Sequence, residues 1–334
     1  MTKKIITRYA SFFFGILFIA LNLISIKVEA SSTQIRGRST VAQTVYTGPS
    51  SSNYEVMGSI DANEEIYILG KEKGLNWYHI QYHAGSKQKS GYVPISTITS
   101  ITGGTPNEEE FYGGYAVSNT AQTVWSCDNP SIAVSIGSIG VNEGVTRLYA
   151  YDNVMLIEYS TSGKAKRGYV YNPNFSYPIS TTCAARVTSS STLTYGCKSG
   201  YSWGTAGSVD AGEYVAVLAG SAGRNIVYVE YNTSSGRKRG YMPASKLAFH
   251  GGVTVASLDD MYGIPGGTEV GAYPLAPVSG KTAVYAGPGT SYAKVGYIMP
   301  ETTYGFDGEI TINGNHWTYI IYKENGVMVS GFID

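Results

Sequence analysis

Residues 157–170 read IEYSTSGKAKRGYV, and residues 229–242 read VEYNTSSGRKRGYM. A near-identical stretch spelled twice constrains the fold more than any other feature, because repeated units must each close a core or share one with their copies. Two further segments follow the same plan: IQYHAGSKQKSGYV over residues 80–93 and IIYKENGVMVSGFI over residues 320–333. Each runs apolar-polar-Tyr, crosses a polar turn holding Gly or Ser, and closes on Gly-aromatic-apolar. Alternation on both sides of a turn predicts a β-hairpin. The closing glycines Gly91, Gly168, Gly240 and Gly331 lie 77, 72 and 91 residues apart, a domain-sized period.

A second shared block precedes each hairpin. TVYTGPSSSNYEVMGSI begins at Thr44 and AVYAGPGTSYAKVGYI at Ala283, both with Tyr-x-Gly-Pro, an aromatic residue five or six places beyond the Gly, and Gly-x-Ile. The middle copies degrade it to TVWSCDNPSIAVSIGSI from Thr123 and LTYGCKSGYSWGTAGSV from Leu193, where Cys127 and Cys197 take matching places. Short acidic turns and a further strand follow: ANEEIYILG at 62–70, VNEGVTRLY at 141–149 and AGEYVAVLA at 211–219. Pro and Gly set the turns, and alternating Ile, Val and Leu supply one buried face. The 29 tyrosines and only 14% charged residues also favour β-structure over helix.

With GLNWYHI at 74–80 and the closing SGYVP, these motifs resemble the bacterial SH3-type (SH3b) domain family. The resemblance covers residues 38–100 well and 270–334 fairly well; 113–180 and 183–250 match in strand order but lack the intact Gly-Pro, and 251–269 reads as a linker. It implies an all-β chain of four tandem SH3-like small antiparallel β-barrels, here called units 1 to 4. Units of some 60 residues bury a modest core, so neighbours are expected to touch. The short link between units 2 and 3 predicts that these two pack as a pair.

The first 30 residues read as a signal peptide. Lys3, Lys4 and Arg8 precede an apolar run from Ala10 to Ile26, and Val28-Glu29-Ala30 offers small residues for cleavage. The alternative is an uncleaved membrane segment, the only membrane contact expected. That stretch holds four of the 24 basic residues and one of the 24 acids, so the remainder is mildly acidic, which argues against a nucleic-acid partner. Cys127, Cys183 and Cys197 are too few for a disulfide scaffold; a Cys183–Cys197 bridge or three inert thiols remain open. His79 and His83 sit four apart on a strand, without the helical spacing that makes such a pair a zinc site, so neither metal nor cofactor is expected.

The aromatic residues carry the strongest binding signal. The resemblance implies a groove for wall peptide or glycan, with Tyr46, Tyr54, Trp77 and Tyr92 in unit 1 and Tyr285, Tyr292 and Trp317 in unit 4 as candidates. The hairpin tips add Lys164, Lys166 and Arg167, and Arg237, Lys238 and Arg239. These basic tips either touch anionic wall polymers such as teichoic acid or protect an exposed strand edge. The expected function is a secreted, non-catalytic, cell-wall-associated protein that binds peptidoglycan. The alternatives are an extracellular adaptor for proline-rich or extended peptides and a wall hydrolase with an unrecognised site.

Overall fold

Alternating apolar residues flanked by turns produce strands almost throughout the computed structural model, which describes residues 34–111, 113–161, 163–177, 183–197, 199–250, 253–258, 277–312 and 314–334. The export signal expected over residues 1–30, and residues 259–276, lie outside the described residues. Unit 1 comprises β1 (Arg36–Ser39), β2 (Gln43–Tyr46), β3 (Val56–Ile60), β4 (Glu65–Glu72), β5 (Trp77–Ala84), β6 (Lys87–Pro94), β7 (Ile98–Thr102) and β8 (Glu108–Glu109). Unit 2 comprises β9 (Gly114–Ser118), β10 (Gln122–Trp125), β11 (Ser135–Ile139), β12 (Gly144–Tyr151), β13 (Val154–Ser160), β14 (Ala165–Tyr171) and β15 (Phe175–Ser176). In unit 3 these are β16 (Cys183–Val187), β17 (Ser191–Thr194), β18 (Thr205–Val209), β19 (Tyr214–Ser221), β20 (Ile226–Thr233), β21 (Gly236–Pro243) and β22 (Leu247–Phe249). Unit 4 holds β23 (Thr282–Tyr285), β24 (Lys294–Ile298), β25 (Tyr304–Ile312), β26 (Asn315–Glu324) and β27 (Val327–Ile333).

The chain is all-β, and its four sheets follow one plan. Unit 1 runs β3-β2-β6-β5-β4-β1-β7; units 2 and 3 repeat that order, and unit 4 keeps the first five places as β24-β23-β27-β26-β25. The hairpins read from the sequence are β5–β6, β13–β14, β20–β21 and β26–β27, all antiparallel. Every unit has a register shift at the same place, between Ile68 and Gly70, Arg147 and Tyr149, Val217 and Ala219, and Phe306 and Gly308. An extra residue at such a shift bends the strand, so a shared bulge gives each sheet a common bend.

Each strand path is open rather than a closed barrel: its first and last strands are not hydrogen-bonded to one another. The entrance to β3 meets a neighbouring unit. Glu55 N–H donates to the Ala165 carbonyl of unit 2 at 3.1 Å, and Ala165 N–H donates to Asn53 at 2.9 Å. That backbone pairs on both sides, since the Glu55 carbonyl also accepts Thr47 N–H of its own unit at 2.8 Å.

Equivalent positions build each core. Val45, Val124, Leu193 and Val284 are fully buried, as are Ile80, Ile157, Val229 and Ile320 on the hairpin strand. Units 2 and 3 do pack as a pair, as their short link predicts. Tyr115 and Val117 of unit 2 join Ala184, Tyr214, Ala216 and Leu218 of unit 3 in one cluster. Their polar contacts run both ways: Asn232 Nδ2 donates to Asn142 O at 3.0 Å, and Ser160 Oγ donates to Gly212 O.

Candidate functional site

The repeated hairpin is a dock between units. Tyr54 bridges to Ala165 of unit 2, Tyr292 of unit 4 to Arg237 of unit 3, and Trp203 of unit 3 to Met328 of unit 4. Ala165, Arg237 and Met328 occupy one position on the returning strand of their hairpins, opposite Ser160, Asn232 and Lys323. The fourth contact completes the pattern: Gln88 N–H of unit 1 donates to Ile132 O of unit 2 at 2.9 Å. Units 1 and 2 thus clasp each other, and units 3 and 4 do the same.

A glycine in the turn after β2, β17 and β23 lets the clasping ring lie over it. Tyr54 lies so close over Gly48 that a Cβ there would stand 2.2 Å from the ring; Tyr292 over Gly287 gives 2.2 Å and Trp203 over Gly196 gives 2.5 Å. Unit 2 exchanges the sizes, with Cys127 in place of the glycine and Ala133 in place of the aromatic ring. Strand register therefore equates Cys127 with Gly196, not with Cys197, which stands one residue further on; the matching of the two cysteines expected from sequence is corrected accordingly.

Directly across each hairpin lies one polar pair or its replacement. It is Gln81–Ser90 in unit 1, Glu158–Arg167 in unit 2, Glu230–Arg239 in unit 3 and Ile321–Ser330 in unit 4. The charged pairs of the two central units are buried under tyrosines of the outer ones. Glu158 receives Arg167 Nε at 3.0 Å and Tyr54 Oη at 2.7 Å on one oxygen, and Tyr214 Oη at 2.8 Å and His250 Nε2 at 2.9 Å on the other. Arg167 also reaches Glu72 at 2.5 Å and Tyr92 Oη at 3.1 Å. Burial disfavours the Glu158 carboxylate, but His250, Arg167 and the Tyr54 hydrogen bond outweigh it and hold the carboxyl well below the usual range. The second node is simpler. Glu230 takes Arg239 Nε at 3.0 Å, Tyr292 Oη at 2.7 Å and Arg237 Nη1 at 3.3 Å. Burial, opposed by Arg239 and helped by Glu230, pushes the Tyr292 phenol up to about 12.

The sequence-predicted site residues separate accordingly. Tyr54, Tyr92 and Tyr292 are buried between units. Arg167 and Arg239, read from sequence as tip charges, are 4% and 3% exposed and serve the docks; Lys164, Lys166, Arg237 and Lys238 are only part-buried. Sequence reasoning missed Glu158, Glu230, Glu72, Tyr214 and His250. The available signal was the shared switch to Glu and Arg at facing positions in units 2 and 3 alone. Cys183 and Cys197 are not bridged to each other, and Cys127 is in no disulfide either. Burial pushes all three thiols up, Cys183 to about 12, which keeps them protonated and poorly nucleophilic. His79 stacks on Tyr92 at 4.7 Å and meets Glu109 at 3.0 Å. Among the described residues no group of three or more His, Cys, Asp and Glu is arranged to hold a metal.

A cleft of about 300 Å³ lies between units 2 and 3, with Glu143, Glu213, Tyr115 and Tyr214 in its walls. Its two carboxylates hold turns, accepting Gly140 N–H at 2.7 Å and Asp210 N–H at 2.8 Å, as Glu64 does for Asp61 in unit 1. The part-exposed aromatic rings are a better candidate surface. Tyr46 meets Trp77 edge-on at 5.9 Å in unit 1, and Tyr285 meets Trp317 edge-on at 5.7 Å in unit 4. Tyr46, Trp77 and Tyr285 are half-buried, whereas Trp317 is 4% exposed and closes an apolar cluster with Ile310, Tyr319 and Phe332. Comparison of the chain with known protein families, with characterised proteins and with solved structures finds no match.

Proposed function

We propose that this is an exported, non-catalytic protein of tandem SH3b-like units that binds the bacterial cell wall, with peptidoglycan as its principal ligand. The strand path shared by units 1 to 3, and retained in part by unit 4, supports the SH3b-like assignment. The observation that carries the binding reading is the edge-to-face pair of half-buried Tyr46 and Trp77 in unit 1, matched in unit 4 by half-buried Tyr285 against the buried Trp317. Rings with a free face stack on sugar faces and amide planes, and phenolic hydroxyls add hydrogen bonds. Two weak sites on one chain would raise apparent affinity through effective concentration.

The test is co-sedimentation of the protein with purified Gram-positive sacculi. Trp77→Ala with Tyr285→Ala removes half-buried rings and should reduce the bound fraction several-fold while circular dichroism stays unchanged. Wild-type protein that stays in the supernatant at every salt concentration would rule the reading out.

A further inference from the structure

Register makes the first hairpin of every unit comparable residue by residue. Gln43 pairs with Ile60, Gln122 with Ile139, Ser191 with Val209 and Thr282 with Ile298. Three outward positions then follow. Unit 1 places Ala42, Val56 and Ser59 there; unit 2 places Ala121, Ser135 and Ser138; unit 3 places Ser190, Thr205 and Ser208. Unit 4 alone departs, with Lys281, Lys294 and Tyr297 at the same three places.

The three side chains form a cluster. Lys281 Nζ lies 4.2 Å and Lys294 Nζ 5.5 Å from the centroid of the Tyr297 ring, and Lys294 Nζ is also 5.8 Å from Tyr285. Both lysines are exposed, and Tyr297 is 43% exposed. Among the described residues neither ammonium group has a carboxylate within ion-pair distance, although exposed lysines elsewhere do, such as Lys73 with Glu110 at 3.0 Å. Two like charges held over one ring repel each other, and an anion between them relieves that repulsion. Lysine is a point charge suited to phosphate, and the neighbouring rings offer apolar faces to a carbon chain.

We infer that unit 4 carries a site for the phosphate groups of a phosphodiester-linked polyol chain, formed by Lys281 and Lys294 with Tyr285 and Tyr297. The inference deepens the wall-binding reading by naming a second polymer, and it moves the anion contact from the hairpin tips to this face.

The experiment titrates the full chain with soluble poly(glycerol phosphate) at low and high salt, alongside a uronic-acid polymer of similar length. Wild-type protein should bind the phosphate polymer, more weakly at high salt, because the site is exposed. Affinity should fall about 5-fold for each lysine removed in Lys281→Ala and Lys294→Ala. Lys164→Ala with Lys238→Ala at the hairpin tips should bind as wild type does. Unchanged binding by the Lys281→Ala/Lys294→Ala double variant, equal or tighter binding of the uronic-acid polymer, or no binding by the wild type overturns the site. Sacculi stripped of anionic polymers keep the outcomes separable: continued sedimentation of the double variant leaves peptidoglycan binding standing whatever the titration gives.

Discussion

Arg167 and Arg239 stand at equivalent places, each facing a buried glutamate across a hairpin and lying beneath a tyrosine from an outer unit. Their surroundings differ. Every nitrogen of Arg167 has an acceptor, among them both oxygens of Glu72. Arg239 shares Glu230 with Arg237, and its Nη1 has no hydrogen-bond acceptor among the described residues. The pairing explains why. The place of Glu72 is taken in unit 4 by Ile310, opposite Trp317, and the place of Tyr92 by Phe332. One repeated hairpin thus makes two different joints, and the outer unit decides which. The joint of units 1 and 2 is ionic, with every nitrogen of Arg167 paired; that of units 3 and 4 is more apolar, with a single carboxylate.

The largest expected contrast comes from removing each arginine. Arg167→Ala strips two buried carboxylates at once, leaving Glu72 without a cation among the described residues and Glu158 with His250 alone, and denaturant unfolding should record a loss of about 3–5 kcal/mol. Arg239→Ala strips only one carboxylate, Glu230, which keeps Arg237, so the loss should be about half as large. Equal losses would break the comparison.

Acid should separate the joints next. The Glu158 carboxyl is held low in the folded chain, so its stabilisation is present above the ordinary carboxylate range and is lost as pH falls through the lowered folded value. Glu158→Gln should therefore melt below the wild type at pH 7, with the gap narrowing towards pH 2–3. A constant gap across that range would exclude a charged role for Glu158.

The smallest effect is a gain. Phe332→Tyr restores the phenol that Tyr92 offers in unit 1 and gives Arg239 Nη1 an acceptor. Thermal unfolding should show stabilisation of about 0.5–1.5 kcal/mol. No gain would mean that the new hydroxyl does not reach the guanidinium.

Much of this was legible locally. Period-two alternation in IEYSTSGKAKRGYV gives the hairpin, and Tyr-x-Gly-Pro gives the turn before it. The size exchange between Gly48 with Tyr54 and Cys127 with Ala133 was also present in the sequence, but it has meaning only once the ring is seen to lie over its own turn. What local pattern could not show was the direction of the third basic residue. Lys164 and Lys166 are part-buried and donate to the Ser51 and Ile136 carbonyls, whereas Arg167 is buried because Tyr54, Tyr92 and Glu72 come from another unit. Burial by a neighbour leaves no periodicity in the strand that it covers. The same reason hid Tyr54 and Tyr292, whose aromatic character suits a ligand groove and a joint equally well. Barrel closure is not legible in the sequence, because strand order alone does not show whether the first and last strands of a path meet.

The clasp between units is tested most directly by a double-mutant cycle on the full chain, pairing Tyr54→Phe with Glu158→Ala, 104 residues apart in sequence. A coupling energy of about 1 kcal/mol or more in equilibrium unfolding is the predicted result. Losses that add to within about 0.3 kcal/mol would mean that the two side chains do not meet, and would contradict the docking role of the repeated hairpin.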